Sequence, residues 1–271
     1  MRAILAARNR EILQQYGASR VLLAFDYDGT LAPIVDDPTD APMRSRTRTL
    51  LGKLCHRFHC AVISGRARPD VSRYLRSVAM FAVVGNHGME PGADRGSAQL
   101  AVQRWRGHLS LRLADHSGIR IEDKRLSLSI HYRRATPKRR ALAAIWDAVR
   151  ELPSARLIGG KDVVNVLPEG APHKGLALEN LRRRAGCDTA IYVGDDQTDE
   201  DVFGYRTHWP LLGIRVGRSR TTSASYYIRD QKEIDLLLQA LLACRRSIRP
   251  AMKGKYGQGA PISRRREVRA A

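Results

Sequence analysis

The sequence has few cysteines and no long apolar run. Four cysteines in 271 residues, without dense spacing, exclude a disulfide framework and fit a reducing cytoplasm. No stretch approaches the length needed to span a bilayer, so a membrane partner is not expected. Arg2, Arg8, Arg10 and Glu11 interrupt every apolar run at the N-terminus, and no signal peptide is expected there. Internal repeats are also missing. Acidic residues are the minority, 27 against 47 Lys and Arg, for a net charge of +20. That balance suits a small anionic substrate, and it raises nucleic acid as a partner. Part of the excess sits in residues 245–271, where nine Lys or Arg face the single acid Glu267. This stretch lacks apolar periodicity, and from about residue 246 it reads as a basic, disordered tail. Nothing in the sequence fixes an oligomeric state.

What the chain does contain is organised around residues 20–31. Val21–Phe25 is a short apolar run, the signature of a buried strand. It ends in Asp26 and Asp28, followed by Gly29-Thr30. Residues two apart on a strand share a side, so both carboxylates are placed at one strand tip. Ligands bind at that edge in open α/β sheets. Before it, residues 3–16 read as an amphipathic helix. After it come a helix over 46–57, a strand over 60–63 ending in Ser64-Gly65-Arg66, a helix over 69–75, and a strand over 81–84 ending in Gly85-Asn86-His87-Gly88. The cluster Cys55-His56-Arg57-Phe58-His59-Cys60 looks like a metal site in outline. It reads better as a helix end entering a strand, with the thiols as small buried hydrophobes.

The pattern changes after Pro91. A helix over 99–113, a strand pair over 118–123 and 127–132, a helix over 137–152, and a second strand pair over 156–158 and 162–167 make an α+β insertion. Gly159-Gly160 is expected to turn that second pair. Alternation returns with a helix over 174–184, a strand over 190–193 ending in Gly194-Asp195-Asp196, two further strands, and a closing helix over 233–243. The expected architecture is α/β, with a doubly wound, mostly parallel sheet and an inserted α+β cap. Its expected divisions are 1–91 and 168–245 for the core, 92–167 for the cap, and 246–271 for the tail.

Four strand or helix ends in one parallel sheet converge on one edge. They supply Asp26 and Asp28, Ser64, Lys174, and Asp195 with Asp196 and Asp199. Each has a plainer reading alone: an acidic turn, a Ser-Gly turn, a solvated lysine. Together they suit phosphoryl transfer, where catalysis is mostly positioning and charge neutralisation. Asp26 is expected to attack phosphorus and form an aspartyl-phosphate. Asp28 would protonate the leaving oxygen and later take a proton from water. Lys174 and Ser64 would stabilise the transferring group. A hard cation such as Mg²⁺ suits this acid-rich edge, with Asp26, Asp28, Asp195 and Asp196 as candidate ligands.

In sequence order these segments resemble the motifs of haloacid-dehalogenase-like phosphatases. Adding Gly85-Asn86-His87-Gly88-Met89-Glu90, Glu122-Asp123-Lys124, His131-Tyr132-Arg133 and His173-Lys174-Gly175, the chain from about 20 to 240 resembles trehalose-6-phosphate phosphatases. The resemblance implies Mg²⁺-dependent hydrolysis of trehalose 6-phosphate, a mobile cap, and His87, Glu90, Lys124 and Arg133 facing the sugar. It also places Asn165 where the family commonly has a sugar-binding Glu. Asn is neutral and both donates and accepts, which leaves a related glycosyl phosphate, such as glucosylglycerol phosphate or sucrose phosphate, as the second candidate. A basic nucleic-acid-binding protein on the same scaffold is the alternative from another class, and the complete catalytic set speaks against it.

Overall fold

The computed structural model describes residues 1–35, 41–92 and 95–244. The basic segment 246–271, expected to be a disordered tail, lies outside the described residues. The first surprise comes at the N-terminus. Instead of one helix over 3–16, Arg2–Ala3 forms a short strand, β1, and Arg10–Ala18 forms α1. β1 pairs with the far end of the main sheet.

β2 (Val21–Phe25) is buried at every position. Its alternation divides between two cores. Val21, Leu23 and Phe25 face one side, and Leu22 and Ala24 face the other. A strand apolar on both faces must be covered on both, and it is. α2 (Ser45–Cys55) and α7 (Ile234–Ala243) close the first side with Leu50, Leu51, Leu54, Leu237, Leu238 and Leu241. α6 (Lys174–Arg184) closes the second with Ala177, Leu178 and Leu181. Burying each of those leucines contributes about 1.5–3 kcal/mol.

The main sheet also contains β3 (His59–Ile63), β4 (Ala82–Val84), β9 (Thr189–Gly194), β10 (Leu211–Val216) and β11 (Tyr226–Ile228), with α3 (Arg68–Tyr74) between β3 and β4. Its order is β1-β11-β10-β9-β2-β3-β4, and every pairing is parallel. The chain leaves β2 toward β3 on one side and later returns to β9 on the other. β2 therefore stands at the switch point, where adjacent crossovers diverge and open a crevice. Cys55 ends α2 and Cys60 lies buried in β3, and none of the four cysteines forms a disulfide.

The inserted segment builds a second sheet in the order β5-β6-β8-β7. Its strands are β5 (Arg120–Asp123), β6 (Leu128–His131), β7 (Ala155–Gly160) and β8 (Val163–Pro168), all antiparallel. Helices α4 (Arg95–Arg112) and α5 (Lys138–Arg150) pack on one face through Val102, Trp105, Leu109, Ile145 and Val149. The other face is polar and turns toward the β2 edge of the main sheet. The β7–β8 turn falls at Lys161-Asp162, with Asp162 at φ 60°, and not at the two glycines. Those glycines have a different duty. A Cβ on Gly159 would lie 2.7 Å from Gln197 Oε1, and one on Gly160 would lie 2.7 Å from Asp196 Oδ2. They let the hairpin lie against the main domain.

Candidate active site

At the tip of β2, Asp26 is 5% exposed and meets Lys174, whose ammonium-bearing side chain is 1% exposed. Lys174 is the first residue of α6. His173 caps that helix by accepting the N–H groups of Gly175 and Leu176 through Nδ1, at 3.2 and 3.4 Å. The cap fixes where the lysine starts. Its ammonium donates to Asp26 Oδ1 at 2.9 Å and to Asp199 Oδ1 at 2.7 Å. Asp199 is saturated by protein donors. It also accepts Tyr192 O–H at 2.6 Å and the N–H groups of Asp195 and Asp196, each at 2.9 Å.

Oxygens of Asp26, Asp195 and Asp199 lie within 4.8 Å of one another. Three carboxylates thus share one ammonium. Burial first, then the neighbouring acids Asp199 and Asp28, push the Asp26 carboxyl up to about 7 despite Lys174. Burial and the charges of Asp26, Asp199 and Asp196 raise Asp195 well above the usual carboxylate range. Burial alone would lower the Lys174 ammonium, but Asp199 and Asp26 outweigh it and hold it protonated. The surplus negative charge is what a divalent cation neutralises, so the donor set fits one. Gly29 is part of the same packing. Its φ is 79°, and a Cβ there would fall 2.1 Å from Asp195 Oδ2, so only glycine lets the strand end and Asp195 approach.

This arrangement changes the expected ligand set. Asp28 has both oxygens held by Arg66, Nε to Oδ2 at 2.7 Å and an Nη to Oδ1 at 2.6 Å. The Arg66 guanidinium in turn lies against the rings of Tyr27 and Tyr74. The Asp196 side chain accepts the Asp199 N–H in a reciprocal capping pair. Neither carboxylate joins the Asp26–Asp195–Asp199 group. Asp199 does, but its acceptor positions are filled by Lys174, Tyr192 and the Asp195 and Asp196 N–H groups, which leaves Asp26 and Asp195 as the carboxylates with capacity for a cation.

Above these acids lies a cavity of about 480 Å³. Its floor includes Asp26, Asp28, Arg66, His87, Lys174 and Asp195. Its roof includes Glu122, Lys124, Ser129, His131, Arg133 and Asn165 from the inserted sheet. Two roof groups are tied to the floor. Lys124 Nζ donates to Gly65 O at 3.0 Å, and an Nη of Arg133 donates to Val35 O at 2.9 Å. His87 is 4% exposed, and neither ring nitrogen has a partner among the described residues. Burial, with Lys124, Lys174 and Arg156 nearby, keeps its imidazole neutral, well below the ordinary histidine range.

Two expected positions lie off the cavity wall. Glu90 turns away, its Oε2 accepting Arg68 N–H at 2.6 Å and the Asn86 amide at 2.9 Å. It braces the Asn86-His87 loop, whose residues both have positive φ. The Ser64 hydroxyl is fully buried and accepts Arg66 N–H at 3.1 Å, so it braces the turn carrying Arg66. Glu122 was not singled out beforehand. Its carboxylate pairs with His131 Nε2 at 2.7 Å. Burial would raise it, but His131 and Lys124 bring it down to about 2. Its spacing of two from Lys124, on a strand with one polar face, is the signal that marks it.

A carboxylate at the switch point of a parallel sheet, balanced by a buried lysine and roofed by a polar sheet, is equipped for phosphoryl transfer through a carboxyl nucleophile. The fold is the one found in haloacid-dehalogenase-like phosphatases. The chain belongs to the trehalose-phosphatase family, which matches residues 24–231. Probable trehalose-phosphate phosphatase E of Arabidopsis thaliana is 31% identical over 263 residues, which cover 88% of this chain and 74% of that protein. Probable trehalose-phosphate phosphatase 4 of Oryza sativa subsp. japonica is 31% identical over 256 residues, with 87% and 70% covered. The C-terminal domain of C. albicans trehalose-6-phosphate phosphatase superposes with a TM-score of 0.74 over 87% of this chain and 97% of its own. At 22% identity that likeness shows the fold.

Proposed function

We propose that the chain hydrolyses trehalose 6-phosphate to trehalose and phosphate through an aspartyl-phosphate on Asp26, with Mg²⁺ at Asp26 and Asp195. The observation that carries this reading is the Asp26–Lys174–Asp199 set opening into a cavity roofed by polar groups. Asp26 attacks phosphorus while Lys174 fixes its carboxylate and offsets charge. Asp26 and Asp195 would hold the Mg²⁺, which would supply positive charge to offset the repulsion between carboxylate and phosphate. Asp28 exchanges a bond to Arg66 for the leaving oxygen; in its protonated form it gives its proton to that oxygen, and the carboxylate left behind recovers a proton from the water that attacks the intermediate.

His87, Glu122, Lys124, Arg133 and Asn165 receive the sugar. Residues 92–167 act as a cap that excludes water over the 1–91 and 168–245 core. Among the described residues no helix is long and apolar enough to cross a membrane.

The test is phosphate release with Mg²⁺ across disaccharide and glycosyl phosphates, including sucrose and glucosylglycerol phosphates, beside a salt-dependent nucleic-acid titration. Highest kcat/KM on trehalose 6-phosphate supports the reading. A clear preference for another member, prompted by Asn165, replaces the sugar assignment and leaves the chemistry.

A further inference from the structure

The cavity roof carries a row that spans three strands. Glu122 on β5 lies opposite Ser129 on β6, and Ser129 lies opposite Asn165 on β8. All three line the cavity. Ser129 and Asn165 are 1% and 4% exposed. The Ser129 hydroxyl donates to Asn165 Oδ1 at 2.7 Å. A primary amide has one oxygen and one NH₂ group. With Oδ1 taken by Ser129, Nδ2 is the group left to face the cavity that Asn165 lines. An N–H facing a partly enclosed cavity can exchange solvent for a ligand oxygen as its acceptor.

The far end of the row has the opposite sense. Glu122 is ionised and accepts only, and one oxygen is already engaged by His131. Two strand spacings, about 9.6 Å, separate the ends of the row. That span suits a sugar ring lying across β6.

We propose that Ser129 is a positioning residue that turns the Asn165 amide into a donor subsite, so that the sugar is held between an acceptor at Glu122 and a donor at Asn165. The proposal rests on reading the cavity as a sugar-phosphate site. The ligand class is a neutral polyhydroxylated sugar. One of its oxygens accepts from Asn165, and another hydroxyl donates a hydrogen bond to Glu122. A carboxylate at position 165 would accept instead, so asparagine reverses the polarity at this end of the roof. The rival arrangement is a flipped amide, with Nδ2 donating to Ser129 and Oδ1 facing the sugar.

Three variants separate them. Asn165→Asp keeps the shape and exchanges NH₂ for an acceptor. Ser129→Ala releases Oδ1, and Ser129→Thr restores the hydroxyl. Steady-state kinetics are read on whichever sugar phosphate the wild type turns over best, and on p-nitrophenyl phosphate, with thermal melts of each protein.

The expected result for Asn165→Asp is a KM raised about ten-fold or more on the sugar phosphate, with a clearly smaller change on p-nitrophenyl phosphate. Ser129→Ala raises the sugar-phosphate KM by about three-fold or more, and Ser129→Thr returns it close to wild type. Asn165→Asp equal to or better than wild type overturns the donor assignment. A wild-type KM in Ser129→Ala removes the positioning role. Equal losses on both substrates make the pair a support of the fold and overturn the proposal. Because wild-type activity selects the substrate, preference for another sugar defeats the trehalose reading and leaves this test intact. No turnover of any sugar phosphate defeats both.

Discussion

Glu122 shows how a single side chain gains its state from its surroundings. Burial opposes its charge, yet His131 and Lys124 hold its carboxyl at about 2, against a usual value of 4.5. An acid held lower in the folded chain than in the unfolded one adds stability above its unfolded value. That contribution is lost as pH falls from about 4.5 toward 2. We therefore expect the stability difference between wild type and Glu122→Gln to be largest above pH 5 and to vanish near pH 2. Urea unfolding across that range measures it, and a difference independent of pH would remove the assigned cause. At this scale the sequence was most legible where a reactive residue ends an apolar run, as at Asp26 and Asp195. It was least legible where a carboxylate serves the backbone. Glu90 sits in a segment that resembles a sugar-binding motif, but its partners are the first N–H of α3, at Arg68, and the Asn86 amide, and their meeting depends on the tertiary fold.

The elements divide in the same way. Strands β2, β3 and β9 were legible because a two-sided sheet demands continuous apolar runs, and α6 is found at the expected residues. The N-terminal segment was misread because β1 is two residues long and its ladder comes entirely from β11. The β7–β8 turn was misread because Gly-Gly is a turn signal, whereas here the missing side chains make room for Asp196 and Gln197. That reassignment predicts the outcome of Gly160→Ala. Its Cβ would meet Asp196 Oδ2 at 2.7 Å and Val163 Cγ1 at 2.8 Å. Since the hairpin tip must lift, kcat/KM on the sugar phosphate should fall by about ten-fold, with overall stability changed by about 1 kcal/mol. Kinetics and thermal melting together measure this. Unchanged kinetics would show that the hairpin seat plays no part in closing the cavity.

For the whole molecule, function depends on two sheets brought edge to face. The roof is joined to the floor by Lys124 to Gly65, by Ser127 to Asn86 at 2.7 Å, and by the Arg156–Asp201 ion pair. Lys124 is also a roof residue of the cavity. Lys124→Ala should cut kcat/KM on trehalose 6-phosphate by about ten-fold or more, on the order of 1.4 kcal/mol, and affect p-nitrophenyl phosphate clearly less. Equal losses on both would make Lys124 a support of the floor. The central claim is that Asp26 is the group that attacks phosphorus, and one comparison bears on it most directly. Phosphate release from trehalose 6-phosphate is measured with Mg²⁺ for wild type and Asp26→Asn, both shown to be folded by circular dichroism. The account predicts steady turnover for wild type and none above background for Asp26→Asn, because an amide is a poor nucleophile and a poor cation ligand. Near-normal turnover by Asp26→Asn would contradict it.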